Sequence, residues 1–262
     1  MKPIEAIKTA APYVGGKHKL AGEICKIIDA VDHKVYAEPF VGMGGIFFKR
    51  KMRPSTEVIN DRSCDISNFF RVVQRHCPQF IDFIKYKITS REEFERLKKC
   101  SPETLTDFEK AKRFLYLQKL SFGGKVTGRY FGVQLLNGAR FDVQKIEPVL
   151  EAIHNRLAGT VIENLNWPDF LKAYDSKQTL FYCDPPYFGS ENYYGEGLFD
   201  RFQYSMMAAH FKKLRGKVIL SINDTPEIRK VFVDFKQTET SLTYSVAAGD
   251  ATPAKELIIT NF

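Results

Sequence analysis

The apolar run TLFYC, residues 179–183, ends on Asp184 and is followed at once by Pro185 and Pro186. Proline locks φ and removes a backbone donor, so the strand must end here on a stiff turn. Asp184 then stands at a strand end, with the ring of Tyr187 three residues on. The Asp184 carboxylate and the Pro185 carbonyl are two acceptors, and Tyr187 is a flat face. Together they suit an exocyclic amine on a nucleobase, with one acceptor for each N–H and a platform for the ring. An ordinary Asp-Pro turn is the plainer alternative, and the sequence upstream decides against it.

That upstream signal is EPFVGMGG, residues 38–45, inside KVYAEPFVGMGGIFFKR. It reads as strand, glycine turn and helix start. Gly42 and Gly44 let a ligand approach the backbone, and a helix N-terminus there favours negative charge. EVINDRS reads as the next strand, and it places Asp61 nineteen residues after Gly42. An acid in that place bonds ribose hydroxyls in nucleotide-binding sheets. The G-K-[ST] ending of a phosphate-cradling loop is missing. Phe47 stands where a dinucleotide site prefers its third glycine. A nucleoside cofactor is the expectation.

Strand and helix alternate again after residue 150, through TVIENLNW, PDFLKAY, TLFYCDPPY, a helix near 203–215, KVILSIND, a helix near 226–234 and KELIITNF. Between the two α/β parts, residues 63–150 carry helical spacing and many charges, with little strand signal. The expected fold is therefore an α/β sheet domain from residues 1–62 and 151–262, split by a mostly helical insertion at 63–150. Within the insertion, SFGGKVTGRYFGVQLLNGARF (121–141) sets Lys125, Arg129 and Arg140 among aromatic residues. A chain of 262 residues, 44% hydrophobic and 13% aromatic, can bury a full core. Lys and Arg exceed Asp and Glu by 39 − 31 = 8, which suits a polyanionic partner such as nucleic acid. Five scattered cysteines without a C-x-x-C pair argue against a zinc ribbon or disulfide frame and for reduced thiols in a cytoplasm. His76 and Cys77 are neighbours that do not converge on one ion, so no metal is expected. No apolar run approaches a membrane span, and the opening MKPIEAIKTA has no apolar core of a secretory signal.

With YVGGK (13–17), EPFVGMGG (38–45), IND (59–61), DPPY (184–187), SIND (221–224) and KELIITNF (255–262) in this order, the chain resembles the Dam-like, D12-class N6-adenine DNA methyltransferases. The resemblance implies a Rossmann-like sheet whose last hairpin is antiparallel, S-adenosyl-L-methionine as cofactor and a target-recognition insertion. It implies that Tyr13 and Lys17 line the cofactor pocket, with Phe40, Gly42 and Gly44 in the glycine loop. Glu38 would lie where the methionine amino group sits, and Asp61 would bond the ribose. Asp169 would face the cofactor adenine, or else be an acid in the first turn of a helix after Pro168. Asp184, Pro185, Pro186 and Tyr187 would form the catalytic loop around a flipped adenine of double-stranded DNA. Lys125, Arg129 and Arg140 are the expected DNA contacts. The segment 188–197 reads as a flap ordered on DNA binding. The compact LSFGGKVTGRYFG replaces a longer asparagine-rich reading segment, so a GATC target does not follow. The alternatives are an N4-cytosine or RNA methyltransferase, or an inactive DNA-binding module. Oligomeric state is not legible.

Overall fold

The computed structural model describes all residues except 16, 18, 19, 134–137, 192–198 and 244–252. Most of the expected flap, and part of the glycine-rich stretch 121–141, therefore lie outside the described residues. Seven strands form the main sheet: β1 (Val35–Glu38), β2 (Thr56–Asn60), β3 (Val161–Glu163), β4 (Thr179–Cys183), β5 (Lys217–Asn223), β6 (Lys236–Thr243) and β7 (Pro253–Thr260). Their spatial order is β3-β2-β1-β4-β5-β7-β6. The first five are parallel, while β7 runs antiparallel between β5 and β6. A short antiparallel ladder joins Lys2–Pro3 to Met52–Arg53.

The central strands β4 and β5 are largely apolar because helices cover both faces of the sheet. In β4 the period of two is visible directly. Leu180 and Tyr182 enter one core, with Ile24 and Ile28 of α1 (Ala21–Ala30), Phe69 and Phe70 of α2 (Cys64–Ile84), and Leu150 of α5 (Val143–Leu157). Phe181 and Cys183 enter the other, with Phe170 of α6 (Trp167–Tyr174), Met207 of α7 (Phe202–Phe211) and Ile228 of α8 (Pro226–Val231). The inserted helices α2, α3 (Arg91–Lys99), α4 (Asp107–Leu120) and α5 share the first core rather than building one of their own. Inside α2, His76 leaves helical geometry at φ −137° and ψ 35°. Pro78 two residues on has no N–H to donate to the preceding turn, which bends the helix there.

The structure corrects one sequence expectation and adds one strand. After the glycine loop, residues 42–49 form tight turns, with Phe48 N–H donating to the Gly44 carbonyl and Arg50 N–H to that of Ile46, rather than a helix. The left-handed φ of Gly42 (51°) and of Gly44 (77°) breaks helical continuity at its start. The argument from a helix N-terminus at this loop falls with it. Strand β6 had no sequence reading, because KQTETSLT is a polar edge strand without an apolar run.

Candidate active site

The chain leaves β1 toward β2 on one side, while β4 pairs with β1 on the other. Open parallel sheets bind ligands at such a switch point, beyond the carboxyl ends of the strands. A cavity of about 330 Å³ opens there. It is bounded by the glycine turn, the Tyr13–Lys17 segment, Asp61 and the Asp184–Pro186 loop. Its size falls in the range of small-molecule sites, about 300–1,000 Å³.

Glu38 closes β1 at the cavity floor, 2% exposed. Burial pushes its carboxyl up to about 8, although the Tyr36 hydroxyl donates to it and Arg50 opposes the shift. Arg50 lies 3.6 Å from the Tyr36 ring centroid and donates to Glu57 at 2.8 Å. Arg156 of α5 donates to the same buried carboxylate at 2.5 Å. The floor is therefore braced from β2 and α5.

The glycine turn is held from β2. Gly42 N–H donates to Asp61 Oδ2 at 2.9 Å, and Ser63 N–H to Asp61 Oδ1 at 2.9 Å. A Cβ on Gly42 would stand 3.1 Å from the Tyr13 ring, and one on Gly44 would stand 2.5 Å from the Phe48 ring. Asp61 thus orders the loop as well as facing the cavity, and burial raises its carboxyl to about 6. Asn60 donates to the carbonyls of Pro39 and Leu165 and accepts from Leu165 N–H, which ties three strand-end loops together.

Asp184 follows β4, as its sequence position required. Ser221 Oγ donates to Asp184 Oδ1 at 3.2 Å, and the Lys17 ammonium lies 2.7 Å from the same oxygen. Burial raises the Asp184 carboxyl above the usual carboxylate range, with Lys17 opposing. Lys17 also donates to the Tyr187 hydroxyl and sits 4.1 Å from that ring's centroid. The loop beyond is clamped. Phe188 N–H donates to Asn223 Oδ1 at 2.9 Å, Asn223 Nδ2 donates to the Phe188 carbonyl at 3.0 Å, and the Tyr204 hydroxyl donates to the Pro186 carbonyl at 2.9 Å.

Of the expected cofactor residues, Tyr13, Lys17, Glu38, Phe40, Gly42, Asp61 and Asp184 line this cavity, with Pro186 beside them. Gly44 supports the turn from behind, and Pro185 and Tyr187 continue the loop. Asp169 does not join them. It is exposed in the first turn of α6, where an acid complements the helix end. The DNA-contact residues separate as well. Lys125 is exposed, but Arg129 is buried and donates to the Lys125 carbonyl and to Gln118 Oε1 at 3.2 Å. Its guanidinium braces the loop from within. Arg140 is half-buried, and a Cβ on Gly132 would stand 2.1 Å from its Nη1. Ser221, Asn223, Tyr204 and Glu256 escaped the sequence reading, although SIND and KELIITNF contain three of them. A strand that ends on polar residues at the carboxyl edge of a sheet was the available signal.

A family profile for D12 class N6 adenine-specific DNA methyltransferases matches residues 13–246, from the Tyr13 segment past the catalytic-loop clamp. The chain belongs to this family. The D12-class enzyme is thus an adenine-specific DNA methyltransferase, with DNA as substrate and a methyl donor as co-substrate. Its relatives agree. The Type II methyltransferase M.CviBI of Paramecium bursaria Chlorella virus NC1A is 25% identical over 271 residues, covering 100% of both chains. The Type II methyltransferase M1.LlaDCHI of Lactococcus lactis subsp. cremoris is 26% identical, covering 95% of this chain and 94% of that one. The Retron Ec67 DNA adenine methylase of Escherichia coli is 26% identical, covering 96% and 90%. Among the described residues of the D12-class enzyme, no group of His, Cys, Asp and Glu could hold a metal ion, and no helix is long and apolar enough to cross a membrane.

Proposed function

We propose that the enzyme transfers a methyl group from S-adenosyl-L-methionine to N6 of an adenine swung out of double-stranded DNA. The observation that carries this is the position of Asp184. It stands at the switch point, half-buried, held by Ser221 and Lys17, and opens onto a cavity with a glycine turn, the buried Glu38 and the half-buried Asp61. The cavity suits the proposed cofactor. Gly42 leaves the backbone open, Asp61 keeps acceptor capacity beyond its two backbone donors, and Glu38 offers a buried carboxylate to an ammonium. Bound there, S-adenosylmethionine would supply a methyl group already activated by its sulfonium.

The protein's own work is alignment. Adenine N6 is a poor nucleophile because its lone pair is delocalised into the ring. Hydrogen bonds from its two N–H groups to the Asp184 carboxylate and the Pro185 carbonyl favour a pyramidal nitrogen and aim the lone pair at the cavity. Prolines 185 and 186 and the Asn223 clamp keep those acceptors from relaxing. Positioning of this kind and preorganised charge are worth several kcal/mol. Tyr187 supplies the stacking face that offsets part of the unstacking cost, a few kcal/mol. DNA would be gripped largely through backbone charge, with Lys125 exposed for it, and read at a short or relaxed site. A cytoplasmic location fits a chain with free cysteines and a DNA substrate.

The decisive experiment supplies methyl-labelled S-adenosylmethionine and unmethylated duplex DNA, then hydrolyses the product to nucleosides. Label in N6-methyldeoxyadenosine is expected. Label in N4-methyldeoxycytidine, or none in DNA, would overturn the proposal.

A further inference from the structure

Glu256 is a buried carboxylate that the proposed chemistry leaves without a task. It lies on β7, whose antiparallel register pairs it with Asn223. That register carries it to the same end of the sheet as Asp184, beneath the catalytic loop. It is 1% exposed. A buried carboxylate is costly unless it is paired, and this one has two partners. The Tyr187 hydroxyl donates to it, and the Lys17 ammonium lies 3.8 Å from its Oε2. Lys17 itself is only 2% exposed in its side chain and stands between two carboxylates, nearer Asp184 at 2.7 Å.

Lys17 and Ser221 both engage Asp184 through Oδ1, so a target amine that binds this carboxylate competes with the Lys17 ammonium for its charge. A buried ammonium displaced with no counter-ion would be strongly unfavourable. Glu256 is the second carboxylate within reach, and a shift of roughly an ångström brings Lys17 to ordinary ion-pair distance from it. The same carboxylate meanwhile holds the Tyr187 hydroxyl, and so the plane on which the base stacks.

We propose that Glu256 is a positioning residue of the methyl-transfer site: it receives the Lys17 ammonium when the target amine takes Asp184, and it fixes the Tyr187 ring through the phenol hydroxyl. The inference rests on the function proposed above, and its test separates the two. A double-mutant cycle compares wild type, Glu256→Gln, Lys17→Met and the double variant, with kcat and both KM values measured on DNA that the wild type methylates. Cofactor binding by calorimetry reports folding. Glu256→Gln should lower kcat about tenfold, the scale of coupling between neighbouring buried charges, with KM for S-adenosylmethionine within about twofold. In the Lys17→Met background the same change should cost less than about twofold, because the cation it serves is gone. Losses that multiply in the double variant, or a wild-type kcat in Glu256→Gln, would overturn the proposal. If Glu256→Gln does not bind cofactor, Glu256→Asp, which keeps the charge but retracts it, enters the same cycle under the same criteria. Wild-type protein that binds S-adenosylmethionine but methylates no DNA would instead refute the underlying function.

Discussion

If Glu38 receives the cofactor's ammonium, cofactor binding becomes a proton-coupled event with a calculable size. Its carboxyl titrates at about 8 because burial disfavours the charge. At pH 7 such a group is about nine-tenths protonated. If the cofactor's ammonium settles beside it, the carboxylate form is selected and close to one proton leaves per molecule bound. The cost of that deprotonation is about 2 pK units at pH 6 and about 1 at pH 7, so affinity should rise about tenfold, or ~1.4 kcal/mol, across that interval. Asp61, which titrates at about 6, adds at most about twofold over the same range. An α-amino group keeps its charge there, since its ordinary value is near 8. Calorimetry at pH 6 and pH 7, in buffers of different ionisation enthalpy, reads both the affinity and the proton count. Glu38→Gln should bind with little proton release and a nearly flat pH dependence. A wild-type protein that releases no proton, with affinity unchanged between pH 6 and 7, would refute the placement of an ammonium at Glu38.

Three further outcomes follow from the site. Asp184→Ala should nearly abolish methyl transfer while DNA binding, measured by mobility shift, stays within a few-fold; near-wild-type turnover would sink the catalytic assignment. Asp61→Ala should weaken S-adenosylmethionine binding by ~1.5–3 kcal/mol, the scale of a hydrogen bond to a charged group. It should also loosen the glycine turn by freeing Gly42 N–H, and unchanged affinity by calorimetry would remove it from the ribose. Because Arg129 is buried against Gln118 and the Lys125 carbonyl, Arg129→Ala should lower the melting temperature. A selective loss of DNA affinity at unchanged stability would instead return it to the interface.

Much of this site is legible because its residues sit where the chain changes element. Gly42, Asp61 and Asp184 each lie within four residues of a strand end. Prolines and positive-φ glycines mark such ends in sequence, since few other residues take those backbone shapes. The expected helix at 46 was not legible for the complementary reason. IFF has the apolar spacing of a helix, but its rings fill a core directly beneath the turn, with Phe47 and Phe48 fully buried, and tertiary packing overrides the local pattern. Arg129 shows the same limit for charge. A glycine-rich loop with cations reads as a surface, yet Gln118 and a backbone carbonyl satisfy the guanidinium inside.

Glu256 is hard to read in the sequence, because its meaning comes from a register. KELIITNF reads as a buried strand, and an acid within it looks like a tolerated edge charge. The antiparallel insertion of β7 between β5 and β6 reverses that strand end for end. Its polar start, not its apolar finish, then lies beside the carboxyl ends of the parallel strands. A parallel β7 would carry Glu256 to the opposite edge and leave Lys17 with Asp184 as its one nearby carboxylate among those described here. The antiparallel hairpin is therefore not an appendage to the sheet: it is the element that gives Lys17 a second carboxylate.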